Sequence, residues 1–350
     1  MEEKQLLITF DYELFLGNRS GNINDCLFVP TDKVLKVIEK YNAKAIFFVD
    51  TTYLITLKEN SHRNQKIKQD FDKVCSHVAS LIERGHYVYP HLHPHWLDAE
   101  YLEKTNEWRL KETTHYRFHH CSPQQMEYVF DGSIRLLYEI IKPVNASYKI
   151  DTYRAGGWCI QPFENFLPFF KKHEFKYDMS VLGGFYLFSN AQYFDFSSAP
   201  QKNAYRFSDD VVKENANGAF TEFNISSIYI NAAKRFAEKF FLKVTTKVFN
   251  DHSYHRGEGQ IAIKLDKEKF TSPLTGHDIL DSNWERVAIE LLSQVKLPTY
   301  LKFFNNNKYM HFISHPKMLT NHNIKTFDAF LLRSFSKYNV ETDFKKMPVL

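Results

Sequence analysis

Short apolar runs alternate with amphipathic segments along the first half of the chain. Residues 6–10 and 45–49 are β-rich runs, and residues 31–41 between them carry apolar side chains at helical spacing, with Thr31 as N-cap. Strand, helix and strand in this order predict an α/β fold with a parallel sheet or barrel. The pattern continues with predicted helices at 66–84, 123–141 (capped by Ser122) and 162–172, and predicted strands at 86–89, 147–153 and 176–181.

The alternation weakens between about residues 183 and 283. We interpret this segment as an insertion in a single domain that spans residues 1–350. It holds strand candidates at 193–196 and 220–225, a basic amphipathic helix at 232–244 and a polar stretch that starts at residue 250. Beyond it we predict helices at 284–295 and 323–337, and strands at 300–304, 309–313 and 340–344.

The composition is that of a folded globular protein with an unusually high aromatic content. Hydrophobic residues make up 43% of the chain and charged residues 25%, which excludes a collagen-like or wholly disordered chain. Aromatic residues make up 16%, with 32 Phe and 20 Tyr. We expect most of them to fill the core, and we expect the Phe- and Tyr-rich stretch at 185–223 to contribute to a substrate groove.

Charge and hydropathy limit the partners and the compartment. The excess of 45 basic over 41 acidic residues gives a net charge of only +4, and the basic residues are spread along the chain, so a nucleic-acid partner is not expected. No run of 18 apolar residues predicts a transmembrane helix, and the N-terminus lacks a signal-peptide pattern, which favours a cytoplasmic protein. The four cysteines contain no C-x-x-C pair and predict free thiols.

Two carboxylates follow the first predicted strand. Asp11 and Glu13 lie at positions i and i+2 of an extended segment, so their side chains point the same way. One of them can hold a metal ion while the other acts as a general base. A turn Asp beside a solvated Glu is the structural alternative.

Three histidines follow the third predicted strand. His91, His93 and His95 occur within five residues, and the His-x-x-x-His spacing of His91 and His95 suits two imidazole ligands on one zinc ion. With Glu13 they would supply three ligands and leave a position open for water, as in catalytic zinc sites. His93 is a competing ligand, and a loop of hydrogen-bonded imidazoles is the structural alternative.

Two further polar residues stand at predicted strand ends, where catalytic groups of α/β barrels collect. Arg154 precedes two glycines and an aromatic residue in the sequence RAGGW, and its guanidinium could orient the Asp11 carboxylate. His315 ends a late strand and is placed to act as a general acid.

These residues together resemble the motifs of the NodB-homology polysaccharide deacetylases, the carbohydrate esterase family 4 superfamily. The order of the motifs matches across most of the chain. The matching segments are Thr9-Phe10-Asp11-Tyr12-Glu13, then Gly85, His86, Val88, His91 and His95, then RAGGW from Arg154, then Tyr177-Asp178-Met179-Ser180, and finally His315. Glu13 stands where the family has Asp, and RAGGW lacks the family's proline after the arginine.

The resemblance implies a distorted (β/α)7-type barrel and a divalent metal, most simply Zn²⁺. It further implies hydrolysis by a metal-bound water, with Asp11 as base, His315 as acid, Arg154 orienting the base and Asp178 tuning the acid histidine. Trp158 and Glu222 are the substrate-binding candidates. The predicted activity is removal of an N-acyl group, in the first place N-acetyl, from a sugar or glycan precursor, so a carbohydrate or glycoconjugate is the expected partner.

Two alternatives remain open from the sequence. One is a metal hydrolase on the same barrel that acts on a non-sugar C–N bond or on a glycosidic bond. The other is a glycan-binding homologue without activity.

Overall fold

The computed structural model describes residues 2–189, 191–249, 276–279 and 283–347. In chain order the strands are β1 (Glu3–Tyr12), β2 (Ile46–Asp50), β3 (Tyr87–Leu92), β4 (Glu100–Leu102), β5 (Glu107–Arg109), β6 (Thr152–Ala155), β7 (Tyr177–Asp178), β8 (Phe185–Phe188), β9 (Tyr193–Asp195), β10 (Ala204–Phe207), β11 (Phe220–Phe223), β12 (Ser227–Tyr229), β13 (His277–Asp278), β14 (Trp284–Arg286), β15 (Tyr309–Ser314) and β16 (Asn339–Glu341). The helices are α1 (Val29–Lys40), α2 (Thr51–Asn60), α3 (Gln65–Glu83), α4 (Pro123–Ile141), α5 (Leu167–Lys172), α6 (Ala232–Phe249), α7 (Leu297–Asn306) and α8 (Asn321–Phe335).

A curled sheet with mostly parallel strands organises the fold. Its strand order is β10-β11-β7-β6-β3-β2-β1-β15, with β16 paired to the start of β1. The seven strands from β11 to β15 along this path are parallel, and β10 is antiparallel at the edge. The predicted α/β class with a distorted (β/α) barrel is therefore confirmed.

The two ends of this sheet approach each other through side-chain and backbone hydrogen bonds. Tyr309 Oη, in β15, donates to the Asn224 carbonyl at 3.0 Å, and the His311 amide donates to Ser226 Oγ at 2.9 Å. Asn224 and Ser226 directly follow β11, so the opening between β11 and β15 is bridged without a regular ladder. The result is a curved wall that surrounds a buried interior.

Aromatic side chains fill the core, as the composition predicts. Phe130 of α4 packs against Tyr153 of β6 with ring centroids 5.5 Å apart and against Phe169 at 4.8 Å. The phenylalanines of the 185–223 stretch are also buried, except Phe188, which is half-buried. The idea that this stretch forms an aromatic substrate groove is therefore wrong for most of its rings, which pack inward.

Several predicted elements differ from the observed ones for identifiable reasons. The predicted helix at 284–295 is wrong, because Trp284–Arg286 forms β14 in a ladder with β12. The predicted strand at 300–304 is part of helix α7, which has proline in its first turn and buries Tyr300 and Phe304 one turn apart. Helix α2 was not predicted, since its first seven residues are all buried and leave no polar face to read.

Other boundaries shift by a few residues. Helix α1 begins at Val29 with Pro30 in its first turn, so Thr31 is an internal buried residue and not the N-cap. Strand β6 begins at Thr152, later than predicted. Helix α4 matches its prediction, and Ser122 forms a capping box with Gln125.

The predicted insertion at about 183–283 is partly described. It contributes β8, β9, β12, β13 and α6, but it also contains β10 and β11, which belong to the main sheet. Residues 190, 250–275 and 280–282, including most of the polar stretch, lie outside the described residues. All four cysteines are free thiols, as predicted.

None of the described helices combines the length and the apolar character needed to cross a bilayer.

Candidate active site

The carboxyl ends of β1, β3, β6 and β15 open into one cleft of about 470 Å³. Parallel strands bring their ends to the same edge of a sheet, which is why residues far apart in sequence meet here. The predicted site residues that line the cleft are Asp11, Glu13, His91, His93, Trp158 and His315. His95, Asp178 and Glu222 are not among its lining residues, and Arg154 lies beneath it, fully buried.

Three of these side chains form a group that can hold a metal ion. Glu13 Oε2 lies 2.6 Å from His93 Nε2 and 3.4 Å from His91 Nε2, and the two histidine nitrogens are 3.1 Å apart. All three residues are buried. Tetrahedral zinc with bonds of about 2.0–2.2 Å places its ligand atoms about 3.3 Å apart, which is close to this triangle.

Hydrogen bonding around the group also fits a cation. His91 Nδ1 lies 3.0 Å from the Arg154 carbonyl oxygen, which can only accept a hydrogen bond, so Nδ1 is the donor and Nε2 is the nitrogen available to a cation. The β3–β6 ladder fixes this contact, because it pairs His91 with Arg154. Among the described residues, the polar neighbours of the buried Glu13 Oε2 are the two imidazole nitrogens, as expected of an atom that shares a cation with them.

The geometry favours His93 over His95 as the second imidazole. His91 and His93 lie two residues apart on extended chain and point the same way, whereas Pro94 starts a 3₁₀ turn that carries His95 elsewhere. The His95 ring stacks on Tyr116 at 4.9 Å. Burial, reinforced by His93, lowers the pKa of His95 well below its ordinary value, so its imidazole is neutral.

Lys317 holds the other oxygen of Glu13. Its Nζ donates to Glu13 Oε1 at 2.8 Å and to the Leu14 carbonyl at 2.7 Å. Burial raises the pKa of Glu13, but Lys317 and His93 outweigh burial and bring that pKa well below its ordinary value. Glu13 is therefore a carboxylate with one oxygen fixed and the other directed at the two histidines.

Arg154 fixes Asp11, as the sequence suggested. Its Nη1 donates to Asp11 Oδ1 at 2.8 Å, its Nη2 to Thr9 Oγ1 at 2.9 Å and its Nε to the Met179 carbonyl at 2.8 Å. Burial raises the pKa of Asp11, but Arg154, followed by His91 and His315, lowers it below its ordinary value. Asp11 is thus an ionised carboxylate with Oδ2 facing the cleft histidines.

His315 stands on the other side of Asp11. Its Nε2 is 3.6 Å from Asp11 Oδ2, and its Nδ1 is 2.9 Å from Glu290 Oε1. Arg286 Nη2 also donates to Glu290, at 3.2 Å. Burial raises the pKa of Glu290, but the hydrogen bond with His315 and the charge of that ring and of Arg286 bring the pKa below its ordinary value.

The carboxylate beside the acid candidate is therefore Glu290, which corrects the role that the resemblance implied for Asp178. Asp178 accepts a hydrogen bond from Ser180 Oγ at 2.8 Å and pairs with Glu222 across the β7–β11 ladder. Burial raises the pKa of Asp178 and, with the neighbouring Asp178 charge, raises the pKa of Glu222 well above its ordinary value. Both carboxyl groups are fully buried inside the barrel, and neither lines the cleft.

Two glycines let the chain pass close to the site. A Cβ on Gly156 would lie 2.1 Å from the Leu92 carbonyl oxygen and 2.9 Å from the His93 ring. Gly157 has a φ of +57°, and its Cβ would meet the Tyr116 hydroxyl at 2.7 Å. The next residue, Trp158, is 7% exposed and lines the cleft. Its role in substrate binding stays a prediction.

Sequence reasoning missed several cleft residues. Lys317 follows His315 by two positions, in the 3₁₀ turn Pro316–Met318 just after β15, so the same reasoning that found His315 could have found it. Glu290 lies in the segment wrongly predicted as a helix, and nothing in its neighbourhood pointed to it. Tyr116, Gln192 and Arg286 also line the cleft. Tyr116 and Gln192 lie in loops and Arg286 lies in β14, which pairs with the short strand β12, so no local sequence pattern marks them as site residues.

No family model matches the chain, and no curated protein matches it significantly. Three solved structures are similar to nearly all of it. One is from Mycobacterium smegmatis and is assigned as a polysaccharide deacetylase, with 12% identity, 97% of this chain and 87% of that chain covered, and a TM-score of 0.45. The second is the catalytic domain of a peptidoglycan N-acetylglucosamine deacetylase from Eubacterium rectale, with 13% identity, coverage of 99% and 91%, and a TM-score of 0.36.

The third is the 4-alpha-glucanotransferase of Thermococcus litoralis, with 12% identity, 99% of this chain and 40% of that chain covered, and a TM-score of 0.42. All three TM-scores are below 0.5.

Replacing single histidines shows whether His93 or His95 completes the ligand set with Glu13 and His91. In protein stripped with a chelator and titrated with Zn²⁺ by calorimetry, we expect His93→Ala to weaken binding by more than about 100-fold, beyond the 10–100-fold loss typical of residues that only support ligands. His95→Ala is the matched control and should change the affinity by less than about tenfold. The opposite order would show that His95 is the ligand.

The Asp178–Glu222 pair predicts a specific pH dependence of stability. Because the folded-state pKa of Glu222 is raised, its stabilising contribution is complete below the unfolded pKa of about 4.3 and is lost as the pH rises through the folded-state pKa. The Gln side chain of Glu222→Gln cannot ionise. From about pH 5 upward, the free energy of unfolding measured with urea should therefore fall more steeply for the wild type than for the variant, by up to about 1.4 kcal/mol per pH unit. Equal pH slopes would contradict the raised pKa of Glu222, and exposed Glu214→Gln should behave like the wild type.

Proposed function

We propose that the protein is a metal-dependent hydrolase that removes an N-acyl group, in the first place N-acetyl, from a sugar or glycan precursor. One observation carries the proposal: the Asp11 carboxylate lies between a cation-binding group and an acid candidate. Its Oδ2 is 3.8 Å from His91 Nε2 and 3.6 Å from His315 Nε2, while Arg154 fixes Oδ1. A base, a Lewis acid and a proton donor at one point are the requirements of metal-assisted acyl hydrolysis.

Glu13, His91 and His93 would hold the cation, and zinc suits their mixture of one carboxylate and two imidazoles. A divalent cation supplies Lewis acidity, polarising a carbonyl oxygen and lowering the pKa of water. The protein keeps these ligands in the required state. The Arg154 carbonyl sets the tautomer of His91, and Lys317 neutralises and orients Glu13.

The chain's own residues move the protons. Asp11 accepts a proton from the attacking water through Oδ2, the oxygen that Arg154 does not bind. As the acyl C–N bond breaks, His315 donates a proton to the departing nitrogen, giving a free amine and a carboxylic acid. Glu290 positions His315 by accepting from Nδ1, which leaves Nε2 facing the cleft.

The cleft walls support a sugar as the acyl carrier. Trp158 and Tyr116 provide aromatic surface, and Gln192 and Arg286 provide hydrogen-bonding groups on the same cleft. Aromatic faces with a few convergent polar groups suit polyhydroxylated rings. The ordered motifs around Asp11, His91, Arg154 and His315, which resemble those of polysaccharide deacetylases, favour an N-acetylated sugar over other amides.

The proposal is tested by acetate release from a panel of N-acetylated sugars and sugar donors, with Asp11→Asn as the decisive variant. Because Asn cannot take a proton, we expect activity to fall about 10²- to 10⁴-fold. Zinc content and the circular dichroism spectrum should stay as in the wild type. If the wild type released ammonia or new reducing ends and no acetate, another hydrolytic activity would replace the proposal. Activity that survives in Asp11→Asn would refute the role of the base.

A second variant tests the positioning role of Glu290. Glu290→Gln keeps the shape of the side chain but removes the charge beside His315, so we expect kcat to fall about 10- to 100-fold with little change in KM. A loss confined to KM, or none, would contradict this role. The exposed carboxylate variant Glu214→Gln serves as the matched control.

A further inference from the structure

Helix α6 carries a row of exposed apolar side chains that the proposed activity does not use. Four apolar residues recur at intervals of four along this helix, which places them in one continuous stripe. Their exposed fractions are 75% for Phe236, 67% for Phe240, 41% for Val244 and 66% for Val248. Apolar side chains of this size are normally exposed singly, so a stripe of four indicates a surface that meets something.

Lysines border this stripe. Lys239, Lys243 and Lys247 also follow each other at intervals of four, and all three are exposed. On a helix with 3.6 residues per turn, they run beside the row of Phe236, Phe240 and Val244. The outward side of α6 thus combines apolar tips with an adjoining positive row.

The opposite side of α6 attaches it to the body of the protein. Glu238 pairs with the buried Lys296 at 2.7 Å, Lys234 Nζ hydrogen-bonds to Thr299, and the Phe241 ring lies 5.2 Å from the His322 ring. The helix is therefore held with a defined orientation. The acidic residue of α6 lies on this inner side, so it does not offset the lysines on the outer side.

The charge pattern selects among possible occupants. In an antiparallel two-fold pair formed by this face with a second copy, the lysine rows would approach each other, and like charges oppose such contact. The anionic surface of a lipid bilayer complements the pattern, because phenylalanine and valine side chains enter the headgroup boundary while lysines extend to the phosphates. Helices with a basic polar flank and aromatic apolar residues are typical of this environment.

We propose that α6 docks the protein on the surface of bilayers that contain anionic lipids. The stripe of Phe236, Phe240, Val244 and Val248 enters the interface, and Lys239, Lys243 and Lys247 bind headgroup phosphates. This inference does not depend on the proposed hydrolysis, since none of these residues lines the cleft.

Co-sedimentation of the intact 350-residue chain with unilamellar vesicles tests the proposal. We expect binding to vesicles of phosphatidylcholine with phosphatidylglycerol, and binding weaker by about tenfold or more to pure phosphatidylcholine or at high salt. The double variant Phe236→Ser/Phe240→Ser should weaken binding by about tenfold or more. Leu332→Ser, which removes an apolar side chain that is 55% exposed on α8, should leave binding unchanged.

A triple variant separates the two contributions. Lys239→Gln/Lys243→Gln/Lys247→Gln should lose the preference for phosphatidylglycerol while keeping the fold, as followed by circular dichroism. The proposal is overturned if the wild type does not sediment with anionic vesicles, or if the Phe236→Ser/Phe240→Ser variant sediments as the wild type does. It is also overturned if that variant changes only the oligomeric state, which would make the face an interface between copies.

Discussion

The buried ion pair between Arg154 and Asp11 is the interaction on which the site depends. Arg154 is fully buried, and an uncompensated charge in such a place would cost several kcal/mol. Its guanidinium meets this constraint by donating to Asp11, to Thr9 and to the Met179 carbonyl. The pair therefore ties β6 to β1 and to the end of β7, and it fixes the carboxylate that we assign as the base.

The cleft contains opposing charges that hold one another in place. Two carboxylates, Asp11 and Glu13, lie two residues apart at the end of β1, and each is held by a buried cation, Arg154 or Lys317. In each case the cation binds one oxygen of the carboxylate. The other oxygen of Glu13 faces the imidazoles of His91 and His93, and that of Asp11 lies between His91 and His315. Deeper in the barrel no comparable cation contacts Asp178 or Glu222 among the described hydrogen bonds, and there burial and the neighbouring Asp178 charge raise the pKa of Glu222.

Much of this arrangement is predictable from the sequence because strand ends converge. Four site residues stand at the ends of apolar runs that form β1, β3 and β15: Asp11, Glu13, His91 and His315. Because these strands are parallel, their carboxyl ends lie at the same edge of the sheet and the four side chains reach one cleft. The contact between Arg154 and Asp11 was anticipated in the same way. The choice between His93 and His95 required the turn that starts at Pro94, which the His-x-x-x-His spacing conceals.

The remaining errors come from contacts that no local pattern encodes. Glu290 reaches His315 because residues 287–289 leave the β14 ladder and bond to Ser226, Ile313 and Ser314, which the apolar spacing at 284–295 does not reveal. Glu222 was expected to bind substrate, yet it is fully buried and the β7–β11 register places it beside Asp178. Helix α2 is buried along its first turns, so the amphipathic signal that identified α1 and α3 is missing.

The central claim is that Glu13, His91 and His93 form one cation site beside Asp11. It is tested most directly by anomalous diffraction at the zinc absorption edge from crystals of the protein grown with Zn²⁺. We predict a single peak within about 2.0–2.2 Å of Glu13 Oε2, His91 Nε2 and His93 Nε2. A cleft without a peak, or a peak bound by His95 in place of His93, would contradict the account.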